Sequence, residues 1–288
     1  MAVRIALSPP VLKHARDQTG SRSQLHSASM TVRGASQRLA SRWLDRIRLA
    51  TRPSNRGYCP ICEQNAVFVI YGEWLRDEYR CRACGSIPRN RALANALNRF
   101  YPSWRTAQIH ESSPGGPLSD FLSRHCRGYS SSHWYDDIPR GQKRGPHQSE
   151  DLSALTFADA EFDVFVTSDV FEHVFAPAQA FAEIARVLRP GGIHIFTMPW
   201  YPTQLQTVQR ARLRPDGTIE HLLEPEYHGN PIDDQGSLVT FDWGPDFTEF
   251  VLRHSGLSTT VYLEIDRAKG LDGELLEVFI SRKPAGTD

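Results

Sequence analysis

The chain has 288 residues, 40 % of them hydrophobic, and its 33 basic side chains balance 33 acidic ones. That length holds one α/β domain plus a small accessory module, and the composition excludes collagen-like and low-complexity arrays. No apolar run approaches the length of a membrane-spanning helix, so no membrane span is expected. The charge is unevenly placed: positions 1–56 carry 11 Lys/Arg against two acids, leaving the remainder at 22 against 31, a net of −9. A mildly acidic body argues against a broad surface that tracks nucleic-acid phosphates. Four of the five cysteines fall in two tight pairs, unlike the dense framework of a small secreted protein, which points to a reducing, cytoplasmic compartment.

Positions 1–56 read as a basic, flexible or partly helical tail. Its Arg- and Ser-rich, acid-poor character is shared with mitochondrial presequences, but it lacks the apolar centre of a secretory signal. Leu39, Trp43, Leu44 and Ile47 fall on one helical face, which predicts a docking helix over 36–49.

Positions 57–91 carry the most specific chemistry. Cys59 and Cys62 form one Cys-x-x-Cys pair, Cys81 and Cys84 a second, and 18 residues separate the pairs. Each short turn aims two thiolates at one point, and the second pair closes a tetrahedron around a zinc ion. Val67, Val69 and Tyr71 alternate as in a half-buried strand, and 77–80 predicts its partner, so the segment is expected to be a zinc ribbon. A redox dithiol needs one pair only and leaves the other unexplained. With four thiolate ligands the zinc is structural, having no open position for substrate. Gly85 suits the tight turn after the second pair, whereas Glu63 departs from it after the first. A helix is predicted over 88–100, with Leu93, Leu97 and Phe100 on one face. Arg89 and Arg91 at its start read as solvated cations, or else as contacts to a substrate phosphate.

From position 106 strands and helices alternate, which predicts a doubly wound α/β sheet. Strands are expected at 107–110, 128–132, 162–167 and 193–198, with a helix over 178–188 stopped by Arg189-Pro190-Gly191-Gly192 and a basic loop at 140–149. Cys126 reads as a small core residue. A helix over 247–257 and a closing strand pair at 259–265 and 275–282 end the domain.

The run from Glu150 to Trp200, with Ser168-Asp-Val-Phe-Glu-His173 and Leu188-Arg-Pro-Gly-Gly192 in this order, resembles class I S-adenosylmethionine-dependent methyltransferases of the type 11 group. The resemblance implies a Rossmann-like sheet whose last strand is antiparallel, with the methyltransferase domain spanning 92–288. It implies cofactor contacts from Glu111, Ser113, Gly115 and Gly116 in the turn after the first strand, where the family has an acid and then Gly-x-Gly-x-Gly. Ser113 and Pro117 depart from that pattern, and Pro117 removes a donor. The family's ribose-binding acid aligns with His133, with Asp136 and Asp137 slightly later. Asp151 and Leu152 fall at the adenine position, and Ser168 and Asp169 line the cofactor floor. His173 lies at the cleft mouth, where it is a candidate general base or else a packing residue.

The long segment 201–244 falls where the family carries a substrate lid, so His221, Glu226, Tyr227, His228 and Asn230 are acceptor-side candidates. A polar pocket of this kind suits a small-molecule or glycan acceptor. Two alternatives stand beside it. One is an RNA methyltransferase holding RNA through the ribbon and tail, although the chain has neither a basic body, an Asn-Pro-Pro-Tyr motif, nor a Pro-Cys nucleophile. The other is a non-catalytic scaffold built on a degenerate methyltransferase fold.

Overall fold

In the eight-stranded sheet that dominates the described residues, the strand expected at 162–167 forms as Phe162–Ser168 and is flanked by parallel neighbours on both sides. The computed structural model describes residues 51–229 and 236–286. The tail prediction over 36–49, with Leu39, Trp43, Leu44 and Ile47, therefore lies outside the described residues, as do Asn230, Pro231, Asp233 and Asp234. From Asn55 onward the described chain belongs to one compact unit.

The unit begins with a three-stranded antiparallel sheet: β1 (Ser54–Cys59), β2 (Gln64–Ile70) and, after a one-turn helix α1 (Leu75–Glu78), β3 (Tyr79–Cys81). The strand expected at 77–80 is thus half helix, half strand. Helix α2 (Pro88–Phe100) has the predicted bounds, with Pro88 in its first turn, where a missing N–H costs nothing. Then come β4 (Gln108–Ser112), α3 (Gly116–His125) and β5 (Gly128–His133). The expected basic loop at 140–149 is instead a hairpin, β6 (Lys143–Arg144) and β7 (His147–Ser149), and β7 adds to β5 in parallel. β8 (Phe162–Ser168), α4 (Pro177–Val187) and β9 (Leu188–Thr197) follow, β9 starting five residues earlier than its apolar core predicts. Helix α5 (Phe247–Ser255) precedes β10 (Ser258–Tyr262) and β11 (Val278–Arg282). The sheet order is β10-β11-β9-β8-β4-β5-β7-β6, with β10 and β11 antiparallel to their neighbours.

β8 is buried along most of its length, from Phe162 and then Val164 to Thr167, because both its faces are covered. Val164 and Val166 pack with Ile109, Ile193, Leu93, Leu118 and Phe121 on one face, and Phe165 joins Phe181, Ile184, Phe196 and Trp243 on the other. Cys126 closes α3 and is buried, as a core residue should be.

The small sheet is not a separate body. Phe68, Tyr79, Cys59 and Cys81 belong to the same apolar cluster as Leu93, Leu97 and Ile109. At two glycines the small sheet and the body come too close for a side chain: a Cβ on Gly57 would sit 2.0 Å from the Ala268 carbonyl oxygen, and one on Gly270, at φ 69°, would meet the Phe68 ring at 2.6 Å. Arg91, expected at the surface, is wholly buried, and it donates to the carbonyls of Tyr79 (2.8 Å) and Gly270 (2.6 Å) and to that of Ser86. Its charge is spent tying the small sheet to the body.

Candidate active site

The four thiols converge. Sγ of Cys59 lies 3.9 Å from that of Cys84, Cys62 lies 3.6 Å from Cys81, and all four sulfurs are within 4.8 Å of one another with no disulfide. A tetrahedral zinc site with Zn–S bonds of about 2.3 Å has sulfur–sulfur edges of about 3.8 Å, so the residues present fit the ion. Burial pushes the Cys62 thiol up to about 12, while hydrogen bonds with the Cys59 and Cys81 thiols hold Cys84 far below the ordinary thiol range. The two turns are alike in backbone: Glu63 at φ 53° matches Gly85 at φ 73°, each N–H closing on the carbonyl four residues back at 2.8 Å. Glu63 thus adopts the left-handed conformation that glycine takes more readily, and its carboxylate pairs with Arg105 and lies 3.7 Å from His125.

Beyond the carboxyl ends of β4, β5 and β8, where ligands bind in such sheets, lies a cavity of about 1020 Å³. Of the residues expected there, Glu111, Ser113, Gly115, Gly116, Ser168, Asp169, His173, Glu226 and His228 line it. His133, Asp151, Leu152, His221 and Tyr227 do not.

The turn after β4 is built around Glu111. Its buried carboxylate accepts from Ser119 (2.9 Å) and Tyr129 (2.5 Å), and Ser119 in turn accepts from the Gly115 N–H (2.6 Å). Burial pushes the Glu111 carboxyl up to about 7 despite those bonds. Ser113 holds φ 57°, the conformation a glycine would provide, with its N–H on the Ser132 carbonyl at 2.8 Å. Gly116 has φ 69° and open space before it. Pro117 falls in the first turn of α3, where no intrahelical bond is lost.

At the end of β5, Trp134 lines the cavity with a buried indole N–H that has no partner. His133 turns instead against His147, ring centroids 4.8 Å apart, and burial lowers it to about 4. Asp151 accepts from the N–H (2.8 Å) and hydroxyl (2.7 Å) of Ser153.

One wall comes from positions 74–89 and from the residues just before β11. Trp74, Arg76 and Asp77 around α1, Arg89 at the start of α2, and Glu274 and Leu275 before β11 all line the cavity. Arg76 grips Asp169 with both terminal nitrogens (2.7 and 2.9 Å) and donates its Nε–H to the Leu275 carbonyl (3.0 Å); Arg89 also pairs with Asp169. Burial alone would raise the Asp169 carboxyl, but the two guanidinium charges hold it well below the usual carboxylate range. Arg89 is thus neither a solvated cation nor free. The basic, amphipathic start of α2 signalled it; nothing local signalled Arg76.

The opposite wall is the segment 201–244. It forms three small ribbons, Val208–Gln209 with Phe241–Asp242, Ala211–Leu213 with Ile219–His221, and Tyr227–His228 with Ser237–Leu238. Thr240 fastens it to the turn Phe171–His173, donating its N–H (2.6 Å) and hydroxyl (3.0 Å) to the Glu172 carbonyl. His173 is buried, with Nδ1 2.9 Å from the Leu238 carbonyl, and burial lowers its basicity. Glu172 is buried beside it with neither carboxylate oxygen hydrogen-bonded, and burial, with the Asp169 charge, raises it to about 8.

The sheet order and the turn at 111–117 define an α/β Rossmann-like fold of the methyltransferase kind, and a methyltransferase domain model matches residues 119–196. Over 145 residues the chain is 30 % identical to the sarcosine/dimethylglycine N-methyltransferase of Halorhodospira halochloris, a stretch that is 46 % of this chain and 47 % of that protein. The chain thus spans about half the length of that relative. Among solved structures, it is similar to an S-adenosylmethionine-dependent methyltransferase from Mesorhizobium loti (17 % identity, TM-score 0.45, 67 % of this chain and 98 % of that one). It is similar too to the 1,6-didemethyltoxoflavin-N1-methyltransferase of Burkholderia thailandensis (17 % identity, TM-score 0.42, 68 % and 78 %). Among the described residues no helix is long and apolar enough to cross a membrane.

Proposed function

We propose that the chain transfers the methyl group of S-adenosylmethionine to a small-molecule or glycan acceptor, in a reducing compartment, with a structural zinc held by Cys59, Cys62, Cys81 and Cys84. The observation that carries this reading is the turn Glu111–Pro117, whose left-handed Ser113 and Gly116 open onto the cavity at the carboxyl ends of the parallel strands. When bound, S-adenosylmethionine supplies an electrophilic methyl on its sulfonium. The protein's share is positioning and exclusion of water. In this reading Glu111 anchors the turn through Ser119, the turn's backbone cradles the methionyl end, and Trp134 offers its indole N–H at the ribose. Asp151 and Leu152 take the adenine end, Ser168 forms the floor, and Asp169 braces the Arg76 wall. His173 presents Nε2 to the acceptor side, where it can take a proton from an acceptor that must lose one. His228 and Glu226 face the acceptor, and Arg76 and Arg89 make 57–91 part of the same site as 92–288.

Calorimetric titration of the zinc-loaded protein with S-adenosylhomocysteine tests this. A single site with micromolar affinity is the expected result. Absence of heat and of any thermal shift would leave the scaffold reading in its place. Tight, steeply salt-dependent RNA binding would replace the small-molecule acceptor, an outcome disfavoured because Arg76, Arg89 and Arg91 are already engaged within the protein.

A further inference from the structure

Around Glu172 the polar groups are arranged in an electrostatically one-sided way. Its side chain is 1 % exposed and both oxygens lack a hydrogen-bond donor. Two imidazole nitrogens face it: Nε2 of His173 at 3.7 Å and Nδ1 of His228 at 4.0 Å from the same Oε1. The tautomers follow from the far side of each ring. Nδ1 of His173 meets the Leu238 carbonyl at 2.9 Å, and a carbonyl only accepts, so that nitrogen carries the proton. Nε2 of His228 meets the Glu226 carboxylate at 3.4 Å, and Glu226 is itself paired with Arg210 at 3.1 Å, so Nε2 carries the proton there. The nitrogens turned toward Glu172 are therefore both lone pairs.

Three acceptors thus converge on one point with no donor among them, and their ligand atoms lie within 4.8 Å of one another. Such a cluster is unfavourable unless something positive sits at its centre. Oxygen acceptors behind ligating histidines are also how proteins orient imidazoles toward a metal. We propose that Glu172, His173 and His228 form a binding site for one divalent transition-metal ion, whose free coordination positions receive a hydroxyl oxygen of the acceptor.

Two imidazoles and one carboxylate favour zinc, manganese, iron or cobalt over magnesium or calcium, which take oxygen ligands. Three protein ligands leave the remaining positions open toward the cavity that all three residues line. Because His228 belongs to the segment 201–244 and Glu172 to the turn after β8, the ion joins the acceptor-side wall to the sheet. Its use rests on the methyl-transfer reading: the coordinated hydroxyl becomes more acidic and releases its proton to solvent. Its oxygen then bonds to the methyl carbon as the sulfonium carbon–sulfur bond breaks. In the loaded site Nε2 of His173 is a ligand and takes no proton.

Cobalt(II) titration of the full chain, with zinc already bound by the four thiols, tests the site without any methyl donor. One further equivalent is expected, with weak visible bands and no intense thiolate-to-cobalt absorption. Glu172→Gln and His228→Ala should each weaken that binding at least tenfold. His228 is partly exposed, so its variant folds whatever the fate of the buried one. No second equivalent at millimolar cobalt, or His228→Ala binding as tightly as the parent, would overturn the proposal; so would a second equivalent with a thiolate spectrum. Titration with S-adenosylhomocysteine on the same samples separates the two readings. Cobalt uptake without nucleoside binding leaves the metal site standing and removes methyl transfer, and the converse removes the metal site alone.

Discussion

Asp169 and Glu172 stand three residues apart at one cavity, Asp169 partly and Glu172 fully buried, and the protein treats them in opposite ways. Asp169 has two arginines and the Thr197 hydroxyl, at 2.9 Å, on its carboxylate; Glu172 has no hydrogen-bond donor among the described residues. A carboxylate with every lone pair satisfied is a finished structural part, and the arginines that finish it come from α1 and α2, on either side of the Cys81–Cys84 turn. A buried carboxylate left bare is incomplete, and it takes up either a proton or a cation. The contrast separates the wall that holds the cavity in shape from the wall that meets a ligand.

The largest effect that tests this contrast is metal removal. Zinc binding to a four-thiolate module supplies folding free energy outright, on the order of 10 kcal/mol. Because Arg76 and Arg89 flank the thiol turns and grip Asp169, a strong thiol-directed chelator should unfold the small sheet and abolish S-adenosylhomocysteine binding together. If circular dichroism shows the sheet lost while nucleoside binding persists, the Arg76 wall is not part of the site.

Acid acts next. His110 lies inside the sheet, and burial lowers it to about 3; His194 is lowered well below its ordinary value for the same reason. Both are neutral when folded and become protonated more readily when unfolded. Their stabilisation is therefore complete above about pH 6.5 and drains away as the pH falls toward about 3. Glu111 and Glu172, raised to about 7 and about 8, gain stability over the same window and oppose the histidines. The test is therefore a difference: the urea stability of the parent relative to His110→Asn should fall by the equivalent of several kcal/mol from about pH 6.5 toward about 3. A difference that stays constant from about pH 6.5 to about 4 would contradict the burial of this ring.

The two carboxylates themselves give a matched pair of variants. Asp169→Asn leaves the buried Arg76 guanidinium without its charge partner, and Arg89 with Asp77 alone at 3.7 Å, and should cost about 3 kcal/mol. In metal-free conditions Glu172, raised to about 8, is mostly a neutral carboxyl near pH 7, so Glu172→Gln exchanges one neutral group for another of the same shape and should change stability by less than about 1 kcal/mol, in either direction. Equal losses in the two variants, measured by chemical denaturation, would erase the distinction between the walls.

How much of the molecule was legible in its sequence depends on the range of the interactions. Two Cys-x-x-Cys turns converge through local geometry, so the thiol cluster could be read from spacing, and α2 could be read from its apolar period and Pro88. β8 and α4 carried a recognisable run. Arg76 could not be placed, because its partners are topological neighbours: Leu275 is 199 positions away. The β6–β7 hairpin is polar and short, with no apolar alternation to mark it. Glu172 was legible as part of Glu172-His173, but its lack of donors and the approach of His228 depend on how the segment 201–244 folds back.

The smallest effect concerns the turn whose sequence departs most from the methyltransferases it resembles. Ser113 stands where glycine is usual, yet its backbone already holds φ 57° and its N–H already bonds to Ser132. A left-handed serine costs about 1 kcal/mol, whereas glycine loses a comparable amount by loosening the unfolded chain. Ser113→Gly should therefore shift stability by less than about 1 kcal/mol and leave S-adenosylhomocysteine affinity within threefold. Such a result would show that the cradle is set by the Glu111–Ser119–Gly115 chain of hydrogen bonds, a satisfied network like that of Asp169. A tenfold gain in affinity would show instead that the serine side chain obstructs the ligand, and that the departure from glycine weakens the site.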